Sequence, residues 1–214
     1  IDLFIYPRRD NKMRQVDLTT MMNCAYASKA KLEEEASYNG RPVRLYLHWT
    51  ACGYWNKFND YHINIDGDGK IFLSTDDFAE RLAHTYMRNS GAVGIALCCC
   101  DNSSTPNGFG NCPPTVTQVD TMEQVMAVLT KALNIPIDIR HVMTHAEIAD
   151  AQGNDEGYSD GLYGPIYGDY NKWDLLSCEA DYPAINIKSY DDPHNGGNII
   201  RTKAKEYRMK FYGD

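Results

Sequence analysis

Val43-Arg44-Leu45-Tyr46-Leu47-His48-Trp49-Thr50 is a short apolar run interrupted near its end by a histidine. Such a run reads as a strand buried in a sheet that delivers one polar side chain to the sheet's end. Two distant stretches end alike, Val142-Met143-Thr144-His145 and Lys172-Trp173-Asp174. Two histidines and a carboxylate are the donor set of an open catalytic zinc site, which keeps a fourth position for water or substrate. Each piece alone has a structural explanation as well. A histidine closing an apolar strand is often a hydrogen-bonded core residue. Lys172 and Asp174 are equally a surface pair around a buried Trp173, since residues two apart in an extended segment share a side. Thr144-His145-Ala146-Glu147 has capping-box spacing, which gives Glu147 a structural task, and the HExxH pattern is absent. His141 precedes His145 by four residues, about 13 Å along a strand at roughly 3.3 Å per residue, too far to share one ion.

Upstream, Asp17 to Tyr38 has helical spacing, with Thr19 or Thr20 near its start and Asn39-Gly40 closing it. Val43–Thr50 is the first strand expected. Tyr61–Asp66 and Lys70–Ser74 flank Gly67-Asp68-Gly69 as a hairpin, and Ala92–Cys99 is a further strand. Val116–Leu133 carries Val119, Met122, Val125, Met126 and Leu129 at helical spacing, and Asn134-Ile135-Pro136 ends it. Ile139–Met143 is a short strand, and Ile199–Tyr212 a last helix. The stretch Asn64-x-Asp66-x-Asp68-Gly69 imitates the start of a calcium loop, but Thr75 stands at its twelfth position and the flanks alternate like strands, so a hairpin is expected. These elements predict an α/β fold, one domain over 1–214 with a central mixed sheet flanked by helices. The core spans about 16–178, a Gly/Tyr/Asp-rich insertion occupies 151–171, and a helical extension covers about 193–214. Tyr158, Tyr163, Tyr167 and Tyr170 make that insertion either an aromatic rim for substrate or a surface loop held by its rings.

The chain has 214 residues, 43% of them hydrophobic, and a formal net charge of -8. An acidic balance argues against nucleic acid as a partner, because phosphate binding needs a basic face. No apolar run approaches the roughly 20 residues needed to cross a bilayer. The seven cysteines form no CxxC pair, which weakens a structural zinc knuckle or a thioredoxin-like motif. Strand alternation would put Cys98 and Cys100 on one face and Cys99 on the other. A Cys100–Cys112 bridge would require an oxidising compartment.

The order of these pieces resembles the type-2 family of zinc-dependent N-acetylmuramoyl-L-alanine amidases, which includes phage lysozyme-type amidases and peptidoglycan recognition proteins. The resemblance rests on His48-Trp49-Thr50, Tyr61-His62-Ile63 with the Asp68-Gly69 turn, Ala83-His84, Asn89, the Gly94-Ile95 strand, Pro114-Thr115 through Gln118, the strand ending in His145, and Lys172-x-Asp174. It implies one zinc ion held by His48, His145 and Asp174, with Tyr61 and Lys172 as catalytic residues. Trp49, Thr50, His84 and Asn89 would line or shape the substrate groove. The implied substrate is peptidoglycan or a muropeptide, cut between N-acetylmuramic acid and L-alanine, by a protein expected to be a monomer. Two departures stand out: Asp174 is followed by Leu175-Leu176 where the family often has Pro-Gly, and His145 and Lys172 lie unusually far apart. Some relatives use Cys as third ligand, which keeps Cys178 as a competitor to Asp174. Some carry a Glu on the Gly-Ile strand where Ala96 stands here, which shifts the proton chemistry toward Tyr61. A non-catalytic peptidoglycan binder and a zinc peptidase acting within the stem peptide are the alternatives.

Overall fold

The computed structural model describes residues 13–85, 88–149, 173–189 and 191–214. Its frame is a mixed sheet centred on the two longest apolar runs, β2 (Arg44–Trp49) and β5 (Ala92–Leu97). Both are buried at every position, which is why they read as nearly continuous hydrophobic stretches. They pair in parallel, with His48 opposite Ala96. On the other side of β2 lies β6 (Val142–Thr144), also parallel. β3 (Ile63–Ile65) joins β5 in parallel and turns back into β4 (Ile71–Leu73). With β1 (Arg14–Val16) antiparallel on β4, the six-stranded order is β1-β4-β3-β5-β2-β6. β1 has no counterpart in the sequence reading, because three mostly exposed residues are too few to show an alternation.

The hairpin turn is made by Asp66, whose Oδ1 accepts from the backbone N–H of Asp68 at 3.1 Å and of Lys70 at 3.0 Å. Gly69 takes φ +76°, and a Cβ there would press on Thr117 and Thr121. The calcium-loop resemblance is therefore a tight strand turn packed against a helix.

That helix is α2 (Val116–Leu133), whose ends are those expected. Thr115 and Gln118 form a reciprocal capping box, and Asn134 closes the last turn in the left-handed conformation. The Gln118 Nε2 also donates to Ile65 O and Cys98 O, tying the helix start to the ends of β3 and β5. α1 (Leu18–Tyr38) is capped by Asp17, whose side chain accepts from Thr20 N, so the cap lies just ahead of the two threonines. α1 and α4 (Gly196–Tyr212) both pack on α2. Leu45, Leu47, Val93, Ile95, Ile63 and Ile65 face this helical layer as one apolar core. Each such side chain removed from water contributes about 1.5–3 kcal/mol before entropy is set against it. Tyr46, Met143 and Ile148 cluster separately, which marks the second face of the sheet.

β6 begins later than the apolar run predicts because Asp138 turns the chain, its Oδ1 accepting from the N–H groups of Arg140 and His141. α4 begins at Gly196, ahead of the expected Ile199, with Asn195 as cap. The expected alternation of Cys98, Cys99 and Cys100 fails. β5 stops at Leu97, and Cys100 turns to φ +68°, which brings the Cys99 and Cys100 sulfurs to 3.5 Å on the same side. All seven cysteines are free, so Cys100 and Cys112 meet through a backbone hydrogen bond and no bridge. The 151–171 insertion lies outside the described residues. No helix among the described residues is long and apolar enough to cross a membrane.

Candidate metal centre

His48 is the penultimate residue of β2, and alternation turns it to the face opposite Leu47 and the helical layer. β6 runs beside β2 with Thr144 in register with Leu47. The next residue, His145, opens the short helix α3 (His145–Ala149), so the two imidazoles emerge from adjacent parallel strands at the same level. Asp174 arrives from a separate segment, anchored where Ala146 N donates to Asp174 O at 3.3 Å. The next residue, Leu175, holds a left-handed φ of +58°.

Three donor atoms converge. His48 Nδ1 lies 3.1 Å from His145 Nδ1, His145 Nδ1 lies 3.3 Å from Asp174 Oδ2, and His48 Nδ1 lies 3.6 Å from the same oxygen. A tetrahedral zinc with ligands at 2.0–2.2 Å has ligand-to-ligand edges of about 3.3–3.6 Å. A proton can join only one pair of these atoms at a time, whereas one cation between them satisfies all three. Among the described residues this trio alone groups three such donors closely enough for one ion. Burial would push Asp174 toward its neutral acid, but His145 and then His48 hold its carboxyl well below the usual carboxylate range. The residues present therefore fit a divalent metal with nitrogen and oxygen ligands.

Behind His48, its Nε2 meets the Thr85 hydroxyl at 3.3 Å, and that hydroxyl lies 3.0 Å from His84 Nδ1. With its proton on Nε2, His48 donates to Thr85 and turns its Nδ1 lone pair toward a metal. Thr85 in turn donates to His84. Asn89 Oδ1 accepts from the N–H groups of Thr85 at 2.7 Å and His84 at 3.2 Å, which fixes this strut. The His84 ring lies against Gly94, where a Cβ would approach its Cγ to 2.5 Å. Burial, then the neighbouring His48, His62 and His145, keeps His84 neutral well below the ordinary histidine value. Tyr61 stands beside the histidines, its ring 5.1 Å from that of His48. Burial first, then Asp174, raises its hydroxyl pKa far above the ordinary tyrosine value, so the phenol keeps its proton.

His48, His145, Asp174 and Tyr61 are thus brought together, while the residues expected at the groove divide. Trp49 does not reach the site: alternation turns it into the apolar core, edge-on to Phe109. Thr50 continues past β2 with its N–H on Leu97 O. His84 and Asn89 support His48 from within and have little surface to offer a ligand, His84 being buried and the Asn89 carbonyl engaged by backbone. Lys172 lies outside the described residues. Cys178 sits in the main core with its thiol pushed up to about 12 by burial, then Glu123 and Glu179, so the donor beside the histidines is Asp174. Ala96 lies in register with His48 and Asn64 and offers no acid or base on that row. Glu147 forms the expected capping box with Thr144, and its carboxylate is filled by Arg201 at 2.7 and 2.8 Å. Thr85 and Arg201 carry no sequence signal of their own, since each acts through a partner distant along the chain.

A family model described as N-acetylmuramoyl-L-alanine amidase matches residues 16–158. The matched stretch includes His48, Tyr61, Thr85 and His145 and ends before Asp174. Neither a curated protein nor a solved structure matches the chain.

Proposed function

Since the chain belongs to the N-acetylmuramoyl-L-alanine amidase family, we propose that it is a zinc-dependent hydrolase of the amide bond between N-acetylmuramic acid and L-alanine of the peptidoglycan stem peptide. The observation that carries the zinc reading is the convergence of His48 Nδ1, His145 Nδ1 and Asp174 Oδ2 within 3.1–3.6 Å of one another. These three side chains would hold one ion. Zinc, when bound, supplies the Lewis acidity that makes water a competent nucleophile near neutral pH.

The chain's own residues do the rest. Thr85 stands 3.3 Å from His48 Nε2, placed to accept that nitrogen's proton when Nδ1 takes the metal, and Asp174 stays a carboxylate beside two imidazoles. Tyr61, held protonated next to His48, is assigned as the hydrogen-bond donor that orients the attacked amide and passes a proton toward the departing nitrogen. In the overall reaction water adds to the lactyl carbonyl carbon, the C–N bond breaks, and the L-alanine nitrogen leaves as an amine. Lys172 is assigned to the negative charge that develops on the carbonyl oxygen. Loss of one such donor costs roughly 3–4 kcal/mol of barrier, or about a hundredfold to a thousandfold in rate. Both assignments follow from the family resemblance, with Tyr61 supported also by its position.

Purified peptidoglycan digested by the protein and analysed by mass spectrometry should release intact stem peptides with a free L-alanine amino terminus. A metal chelator should stop the release, and added zinc should restore it. Cleavage inside the stem peptide would identify a peptidase, binding without release would identify a recognition protein, and release at an unchanged rate after chelation would sink the zinc mechanism.

A further inference from the structure

Helix α4 opens with two adjacent glycines, Gly196 and Gly197. Glycine gives up more backbone freedom on folding than any other residue, so a pair in a helix's first turn needs a local reason. Neither takes a positive φ, so the reason is space. A Cβ on Gly196 would run into the carbonyl oxygen of Leu175, and a Cβ on Gly197 would run into the carboxylate of Glu147, with Cδ at 2.7 Å and Oε2 at 2.8 Å. Leu175 follows Asp174, and Glu147 shares α3 with His145.

Other contacts hold the same two arms to the same helix. Gly196 N donates to Leu176 O at 2.9 Å, which pins the turn after Asp174. That turn contains the left-handed Leu175, a conformation that costs a non-glycine residue about 1–2 kcal/mol and persists only where its surroundings enforce it. On the other arm, Arg201 reaches from α4 to both Glu147 oxygens and to Val142 O at 2.9 Å. The Glu147 carboxylate therefore cannot swing away from an added methyl group, since Arg201 and Thr144 N hold it. All of α4 lies beyond the family match, which ends at residue 158.

We propose that the Gly196–Gly197 step is a positioning device for the metal centre: it seats the Asp174 arm and the His145 arm against one helix and so sets the distance between the two donors. The proposal rests on the zinc reading above and adds that α4 is part of the site's architecture. With an interatomic spacing of 3.3 Å between His145 Nδ1 and Asp174 Oδ2, a shift of either arm by a few tenths of an ångström moves a ligand out of the first coordination sphere's tolerance.

The test is zinc affinity, measured by competition with a chromophoric chelator well below the melting temperature, with cobalt(II) absorption as the spectroscopic readout of coordination geometry. Gly196→Ala and Gly197→Ala should each weaken zinc binding tenfold or more and alter the cobalt spectrum. Ile200→Val, which trims a fully buried α4 side chain of the main core and adds no atom at either glycine contact, should lower the melting temperature and leave affinity within twofold. If one glycine variant fails to fold, the other still tests its own arm. Glycine variants that are less stable but bind zinc as tightly as the parent would overturn the proposal and leave the zinc reading intact. A parent protein that binds no zinc, or binds it equally well after His48→Ala, would overturn both.

Discussion

Replacing Arg201 by Met tests whether Glu147 is structural or chemical. Glu147 is fully buried and its partner side chain is 7% exposed, with two charge-assisted hydrogen bonds at 2.7 and 2.8 Å. Met fills much of the same volume but leaves the carboxylate facing an apolar wall, with only Thr144 N still donating to it. Removing one partner of a buried ion pair costs about 3–5 kcal/mol, most of it the uncompensated charge. For a chain of this size each kcal/mol lowers the melting temperature by roughly 2–4 °C, so Arg201→Met should melt about 6–20 °C lower. Adding Glu147→Gln removes the stranded charge and should recover part of the loss, so the double variant is more stable than the sum of the singles predicts. Thermal unfolding of the four proteins, with urea titrations for free energies, measures this cycle. Additive single effects, or an Arg201→Met cost below about 1 kcal/mol, would refute the reasoning from the buried pair. Glu147→Gln alone should also hydrolyse substrate at close to the parental rate when assayed at saturating zinc far below its melting point, because the carboxylate is committed to Thr144 and Arg201 and has no part in the proton transfers.

Three further outcomes are expected. Asp174→Ala should lose bound zinc by elemental analysis while Cys178→Ala keeps it; the opposite pattern would transfer the third ligand to Cys178. Thr85→Val should weaken zinc about 10–100-fold while Thr85→Ser stays near the parent, and nitrogen NMR of the metal-free Val variant should show His48 no longer held as the Nε2–H tautomer. Burial first, then Asp120, raises Glu123 to about 7; because its folded pKa exceeds the unfolded value, the stabilisation is full below about 4.5 and is lost as pH rises through 7. After allowance for solvent at the α2–α4 cleft this amounts to about 2 kcal/mol, and Glu123→Gln should flatten stability measured between pH 4.5 and 8.

Several elements were legible because their determinants are local. The capping box at Thr115, the helical spacing from Val119 to Leu129 and the stop before Pro136 all lie within one segment, and α2 has the predicted bounds. The apolar runs of β2 and β5 announced central strands for the same reason. His48 and His145 could be named from strand ends, although nothing in either stretch sets them 3.1 Å apart. Local pattern misled where one dihedral broke it: a single left-handed residue, Cys100, undid the alternation of three cysteines. Trp49 was the reverse case, since alternation, applied strictly, already turns it from the site face into the core.

The α/β frame and the strand ends that carry the histidines are written into the chain locally, because hydrophobic periodicity and caps are interactions between near neighbours. Long-range packing puts Asp174 and not Cys178 beside them, sets Thr85 behind His48, and brings Arg201 to Glu147 from 54 residues away. Those choices depend on where separate elements meet, and the meeting is set by packing: two glycines let α4 approach the Leu175 carbonyl and the Glu147 carboxylate, each on a segment that carries a donor.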